Sequence, residues 1–383
     1  FYNCENLSSV SFTEKAANGY TVSIGSSAFS NCGSLSNIKF STNVTSIGSY
    51  AFEGDSEITN ITLPSKLSYL GSAAFKGTYI SSITIPKTVT NCGSDYNGPF
   101  VGASQLKEIT FEEGMTKIPD YICASSSYTS YIQTVNMPDT IEIIGYAAFS
   151  YCSGLLKIEF SKALTEIGGK AFRGSKITSV TFPESIKIIG DSAFYNCENL
   201  SSVSFTEKAA NGYTVSIGSS AFSNCGSLSN IKFSTNVTSI GSYAFEGDSE
   251  ITNITLPSKL SYLGSAAFKG TYISSITIPK TVTNCGSDYN GPFVGASQLK
   301  EITFEEGMTK IPDYICASYS YTSYLTKAVI PDTVDTIGDN SFYKCNNLTI
   351  YGYKNSYAEE YAIINSIPFV SVAISKNMTA AQI

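Results

Sequence analysis

Not one histidine occurs in the 383 residues. That absence removes the commonest general base, the Ser-His and Cys-His nucleophile pairs, and imidazole metal ligands. A zinc site would have to be built from cysteine alone, and no CxxC spacing is present. Dense basic runs are missing as well. With 24 Lys and Arg against 31 Asp and Glu, the net charge is -7, so no concentrated positive surface awaits nucleic acid or an anionic membrane. No stretch approaches the about 18 consecutive apolar residues that a membrane span requires, and the opening FYNCENLSSV lacks both the basic and the apolar part of a signal peptide. The chain starts in mid-repeat at Phe1, which reads as an excised fragment or mature region, with any signal peptide or wall anchor outside it.

What is present is repetition. Residues 24 to 47 read IGSSAFSNCGSLSNIKFSTNVTSI, with apolar groups at Ile24, Ala28, Phe29, Cys32, Leu35, Ile38, Phe40, Val44 and Ile47. Nearly everything between them is Ser, Thr, Asn, Gly or a charge. The Ala-Phe pair returns at Ala51-Phe52 and Ala74-Phe75, a period of about 23 residues that falls among leucine-rich solenoids. Length alone would suggest two or three domains, but a solenoid grows by adding coils to one core. One continuous solenoid of about 14 repeats is therefore expected over residues 1–347.

Alternation in the LxxIxF piece reads as a half-buried strand. It recurs around Val10, Ile38, Ile61, Ile83, Ile109, Val135, Ile158, Val180, Val203, Ile231, Ile254, Ile276, Ile302 and Ala328. Strands that repeat once per coil with one polarity must lie parallel, so they predict a parallel sheet along one face. The segment GSSAFSNC predicts a short 3₁₀ or helical turn on the opposite wall. Val44 and Ile47 predict a second short extended piece between the two. Little α-helix is expected outside the C-terminal end. Phe52 and Phe245 should be fully buried.

The ten Cys are phased with the repeat. Cys4, Cys32, Cys152, Cys197, Cys225 and Cys345 each stand three residues after the repeat Phe, which marks packing positions filled by a small apolar group. Cys4 with Cys32, and Cys197 with Cys225, are the consecutive-repeat pairs to test for a bridge. Insertions such as TEKAANGYT after Phe12, SDYNGP before Phe100 and ASSSYTSYIQT after Cys123 fall at different phases, so they decorate different edges and form no common lid.

A longer period overlies the short one: residues 1–125 are identical to residues 194–318. Identity at buried, exposed and loop positions alike points to recent duplication, because selection on a binding face would preserve only that face. Any patch is then presented twice, about 40 Å apart at the usual strand spacing. From Leu348 the pattern changes. SYAEEYAIINS carries Tyr357, Ala358, Tyr361, Ala362 and Ile363 at helical spacing, followed by an IPFVSVAI strand, which predicts a capping unit over residues 348–371. Residues 372–383 read as a tail or linker.

Two surfaces are candidates for binding. Residues flanking the inward Ile project from the concave face: Asn37, Lys39, Asn60, Thr62, Ser82, Thr84, Glu108, Thr110, Thr134, Asn136, Lys157, Glu159, Ser179 and Thr181, then Asn230, Lys232, Asn253, Thr255, Glu301 and Thr303. This carpet of short hydroxyl and amide groups suits a flat or glycan-like partner, or is a solvated ladder with no partner. Interface anchors such as Tyr, Trp and Arg are scarce on it. The other candidate is a loop cluster with Tyr128 and Tyr131 in the first copy, beside Tyr121, and Tyr319, Tyr321 and Tyr324 in the second, beside Tyr314; rigid amphipathic rings gain contact area at low entropic cost. Glu112-Glu113 and Glu305-Glu306 are the carboxylate pairs that glycoside chemistry could use. Neighbours in a strand point to opposite faces, however, and a solvated turn is the better reading. No Gly-rich phosphate cradle appears. No catalytic residue, cofactor or metal is assigned, and the chain is read as no enzyme.

The recurrent phrase, seen as IGYAAFSYCSGLLKIEFSKALTEIGGKAF over residues 144–172, resembles the BspA-like class of leucine-rich repeats. The ending YGYKNSYAEEYAIINSIPFV resembles the closing unit of such proteins from anaerobic gut bacteria. The resemblance implies a curved right-handed superhelix, secretion, a cell-surface location, and a non-catalytic role in adhesion or recognition of an extracellular protein or glycan. It carries over no catalytic residues and no ligand. A monomer is expected, and a structural spacer projecting another domain is the alternative reading.

Overall fold

The structure is a computed structural model that describes residues 1–13, 20–93, 97–125, 130–206, 213–286, 290–319 and 321–372. It is a parallel-strand solenoid of about 14 turns, and its one helix among the described residues is Tyr357–Ile364. The chain divides into two compact units, Phe1–Leu200 and Ser201–Ile383.

Each coil of the first unit has three walls. On the first wall, strand Ser9–Ser11 pairs with Asn37–Lys39, and Ser82–Ile85, Glu108–Phe111 and Thr134–Asn136 form a parallel trio. Register is coil to coil: Ile83 faces Ile109, and Val135 faces Ile109. On the second wall, Val22–Ile24, Val44–Ile47, Tyr69–Leu70 and Asn91–Cys92 make one parallel run, and Lys117–Ile118, Ile143–Ile144, Glu166–Ile167 and Ile188–Ile189 make another. The extended piece expected at Val44 and Ile47 is therefore a hydrogen-bonded sheet in its own right, and it is more regular than the first wall.

The first wall departs from expectation at Ile61, Ile158 and, in the second unit, Ile254. No strand ladder forms there. The side-chain alternation survives: Ile158 and Leu63 are buried, Ile61 is half-buried, and Asn60 and Thr62 are exposed. Alternation in a sequence reports which side chains leave water; it does not report where the amide groups point. On a wall open to solvent those amides can be hydrated in place of laddering.

The turn wall also differs from a helix. Ala28, Ser30 and Cys32 donate their amide hydrogens three residues back, to Gly25, Ser27 and Phe29. The alternate residues Ser27, Phe29 and Asn31 donate instead to Ser49, Ala51 and Glu53 of the next coil, at 2.9, 2.8 and 2.7 Å. A continuous 3₁₀ segment would spend every amide inside its own coil. Here half of them tie neighbours together, so the wall is a chain of tight turns. Reaching that geometry puts Ser27 and Asn31 in the left-handed region, at φ of 53° and 58°, which costs roughly 1 kcal/mol for a residue with a Cβ. Gly54, at φ 82°, fills the same phase without that cost. The Gly after the repeat Ile answers a different need: a Cβ on Gly71 would lie 2.2 Å from the backbone nitrogen of Ser49.

The interior is built on phenylalanine. Phe1, Phe29, Phe52, Phe75 and Phe100 stack in sequence with centroids 5.3 to 5.6 Å apart and planes within 11° of parallel. Phe149, Phe172 and Phe194 form a second column at 5.4 and 5.1 Å. First-wall rings meet these columns edge-on, as Phe40 does at Phe52 and Phe111 at Phe149, an arrangement favoured by the ring quadrupole. Phe52 is fully buried. None of the ten cysteines is disulfide-bonded, Cys4 with Cys32 and Cys197 with Cys225 included. Cys32 Sγ instead donates to the Phe1 carbonyl at 3.0 Å, and Cys197 Sγ to that of Phe172 at 3.1 Å.

The second unit repeats the plan. Phe222, Phe245, Phe268 and Phe293 stack at 5.3 to 5.6 Å, and Phe245 is fully buried. Its first wall carries a five-stranded sheet of Ser275–Ile278, Glu301–Phe304, Lys327–Val329, Thr349–Gly352 and Phe369–Ser371. Helix Tyr357–Ile364 is capped by Ser356, whose side chain accepts from the Glu359 amide. Its residues Ala358, Tyr361 and Ala362 are buried, with the Tyr361 ring edge-on to Phe342 at 6.1 Å. The 373–383 segment lies outside the described residues.

Candidate functional site

Alternate residues on a half-buried strand must face water, and that rule places the first candidate surface. Asn37, Lys39, Asn60, Thr62, Ser82, Thr84, Glu108, Thr134, Asn136, Lys157, Glu159, Ser179 and Thr181 are exposed on the first wall of unit one, and Thr110 is half-buried. In unit two Asn230, Lys232, Asn253 and Thr255 are exposed, with Glu301 and Thr303 half-buried. Part of this carpet is satisfied internally. Asn136 Nδ2 donates to Glu108 Oε1 at 2.5 Å and to Thr110 Oγ1 at 3.0 Å. Lys157 pairs with Glu159 at 3.0 Å, and Lys327 with Glu301 at 3.2 Å.

Where the ladder is open the wall is different. The coil of Ile61 and the coil of Ile83 border a groove of about 350 Å³, lined by Asn60, Thr62, Ser82 and Thr84, floored by Ile61, Leu63 and Ile83, and bounded by Pro86 and Glu112. The matching place in unit two, between Ile254 and Ile276, is a groove of about 650 Å³. It has Asn253, Thr255, Ser275, Thr277 and Pro279 at equivalent points and reaches Glu301, Thr303 and Glu305. Glu112 is held by the Lys87 amide at 2.8 Å, and Glu305 by the Lys280 amide at 2.8 Å. Glu113 and Glu306 are exposed. The carboxylate at each groove rim is thus a fixed acceptor. The groove was not foreseen, because nothing in the repeat phrase marks a coil whose amides stay unladdered.

The tyrosine edge is real but shallow. Tyr131 is exposed with Lys107 Nζ 4.6 Å from its ring centre, and the equivalent Tyr324 has Lys300 at 5.0 Å. Tyr321 lies under Lys269 at 5.2 Å. Tyr319 stacks on Tyr343 at 6.3 Å, with Lys344 Nζ 4.5 Å from the first ring and 5.7 Å from the second. Tyr128 lies outside the described residues. The cleft beside Tyr324 holds about 20 Å³, room for roughly one water. Tyr343 was not picked out from the sequence because it follows the repeat Phe directly, a phase that varies among Tyr, Ser, Glu, Lys, Val and Arg from coil to coil. Arg173 stands at the same variable phase, between the rings of Tyr151 and Tyr195 at 5.6 and 5.2 Å.

One buried pair was also missed. Asp55 and Asp248 stand three residues after the repeat Phe, where other coils carry Cys, Ser, Thr or Ala, and both are fully buried. Burial pushes Asp55 up to about 7 against the pull of the Cys32 amide, and pushes Asp248 well above the usual carboxylate range. The signal was available: a charge at a packing phase. Among the described residues no group of three His, Cys, Asp or Glu could hold a metal ion, and no helix is long and apolar enough to cross a membrane.

Comparison with known proteins bears on the fold. The solved structure of a leucine-rich repeat protein from Bacteroides ovatus superposes with a TM-score of 0.62 at 22% identity, over 97% of this chain and 85% of that one. The pneumococcal vaccine antigen PcpA gives a TM-score of 0.46 at 15% identity, over 96% and 85%. A leucine-rich repeat protein from Eubacterium ventriosum gives 0.43 at 23%, over 71% and 79%. No curated protein matches the chain. The pattern for the BspA type leucine rich repeat region matches residues 1–97, 22–132, 122–214, 215–349 and 317–382. Phased coils, a phenylalanine interior, parallel walls and a sequence match along nearly the whole chain together show that this protein belongs to the BspA type leucine-rich repeat family.

Proposed function

We propose that the chain is a non-catalytic recognition module displayed outside the cell, binding an extracellular protein or glycan through its first wall. The observation that carries this reading is the groove found in each unit at equivalent positions, framed by exposed polar side chains on a rigid frame of stacked coils. Rigid elements hold such a surface in one geometry and lower the entropic cost of capture. Two corresponding patches on one chain also give avidity toward a repetitive or surface-bound partner. Membership of the BspA type leucine-rich repeat family supports the extracellular placement.

The test has two parts. Protease shaving of intact cells of the source organism should remove the protein. Purified chain, arrayed against extracellular-matrix proteins and glycans, should retain at least one class of partner. A spacer role predicts surface exposure with no partner on either array, and that outcome would overturn the recognition reading.

A further inference from the structure

The groove has a chemistry of its own, and it deepens the recognition reading, on which it rests. In each unit the backbone amides of the coil bordering the groove are left without a protein acceptor: those of Asn60, Ile61 and Thr62 in the first, and of Asn253, Ile254 and Thr255 in the second; the unladdered Ile158 coil of the first unit, which carries Lys157 and Glu159, is not part of either groove. Their neighbours on the wall are short donors and acceptors, two hydroxyls and an amide from Asn60, Thr62 and Ser82, joined by Thr84. No cation lines either groove; Glu112 and Glu305 at the rims are each held in place by a backbone amide, and the second groove also reaches Glu301, which is paired with Lys327. The floor is a strip of isoleucine and leucine.

That combination selects an occupant. A polyanion would meet carboxylates, and the Lys327 ammonium beside the second groove is already paired with Glu301, so acidic glycans and phosphorylated chains are disfavoured. An extended peptide adding to a sheet needs a free strand edge in the plane. Here the coil of Ile61 has coils of the same wall on either side, so the open amides are reachable only from the face. A chain of sugar rings meets the requirements: hydroxyls that both donate and accept, matched to amides, hydroxyls and a carboxylate, with the weakly apolar ring faces against Ile61 and Ile83. We infer that the open-ladder grooves at Asn60–Ser82 and Asn253–Ser275 are twin binding sites for a neutral polysaccharide chain.

Isothermal titration of the full chain with dextran, mannan and xyloglucan, and separately with heparin and polygalacturonate, tests this. At least one neutral polymer should bind with two equivalent sites. The pair Asn60→Ala/Thr62→Ala should halve the stoichiometry, and adding Asn253→Ala/Thr255→Ala should weaken binding by about tenfold or more. Since all four side chains are exposed, unchanged thermal melting will show that the variant folds. Ser82→Trp with Ser275→Trp fills the grooves by bulk and should give the same loss. The inference is overturned if no neutral polymer binds, if the anionic polymers bind more tightly, or if the fourfold and tryptophan variants bind as the parent does. A protein partner captured at another surface, with no neutral polymer bound, would overturn this inference while leaving the recognition reading standing.

Discussion

Cys32 donates its backbone amide hydrogen to Oδ1 of Asp55, one coil away, at 2.7 Å, and Cys225 does the same to Asp248 at 2.7 Å. In each aspartate the second oxygen, Oδ2, is buried and has no hydrogen-bond partner. One amide bond cannot offset the burial of a full charge, so the protonated acid is the form that fits.

Stability should therefore fall as pH rises. Asp55 binds its proton up to about 7 in the folded chain, whereas an unfolded Asp releases it near pH 3.9. Its contribution is fully present below the unfolded value and is lost as pH climbs through the folded one, at up to about 1.4 kcal/mol per pH unit. Asp248 acts in the same direction. The other carboxylates titrate at the acid end of that window, and with no histidine in the chain few groups besides the α-amino group titrate across its upper part. Urea melts from pH 4 to 8 check this, and Asp55→Asn with Asp248→Asn should flatten the curve. Stability that rises over the same range would refute it.

Phe52→Ala should cost about 3 to 5 kcal/mol, because it removes a fully buried ring and leaves a cavity between two stacked neighbours. Lys39→Ala, on the exposed side of the first wall, should change stability by less than about 0.5 kcal/mol. Denaturant midpoints of the two variants decide the matter. Equal losses would mean that inside and outside have been exchanged.

Gly71→Ala should destabilise by about 1 to 3 kcal/mol, since its new methyl group would collide with the Ser49 backbone at 2.2 Å. Gly25→Ala meets nothing within 4 Å and should be close to neutral. Thermal melting of the pair separates crowding between coils from any general intolerance of the motif glycine.

Thiol chemistry offers a further check. Burial pushes Cys152 up to about 12 and Cys345 up to about 11, so neither presents a thiolate at neutral pH. Native protein at pH 8 should label slowly at these two positions. All ten cysteines should label after unfolding in guanidinium without reductant, because none is bridged. Fewer than ten labels would reveal a disulfide.

Much of this architecture was legible from residue phase. Phe52, Phe245 and the Cys column could be assigned to the interior because a position fixed by the repeat is fixed by packing. The second wall was under-read: Val44 and Ile47 are too short a run to announce a sheet, which exists only because every coil repeats them. At Ile61 the reverse occurred, and a strand pattern produced no ladder. Hydrogen-bond direction is settled between coils, and one coil's letters do not contain it. The binding surface was readable as a list of exposed groups, while the groove depends on the spacing between coils. Asp55 could have been noticed, but a lone acid among serines looks like surface.

The amide ties of the turn wall join each coil to the one beside it, as Ser27, Phe29 and Asn31 do to Ser49, Ala51 and Glu53. A protein assembled by such neighbour-only rules has no inherent size. Whole blocks of coils, such as the duplicated stretch 1–125 and 194–318, can be gained or lost, and every remaining coil still finds a partner of the shape it expects. Variation in length among strains, in steps of the 193-residue offset between the two copies, is the genetic signature that this geometry permits.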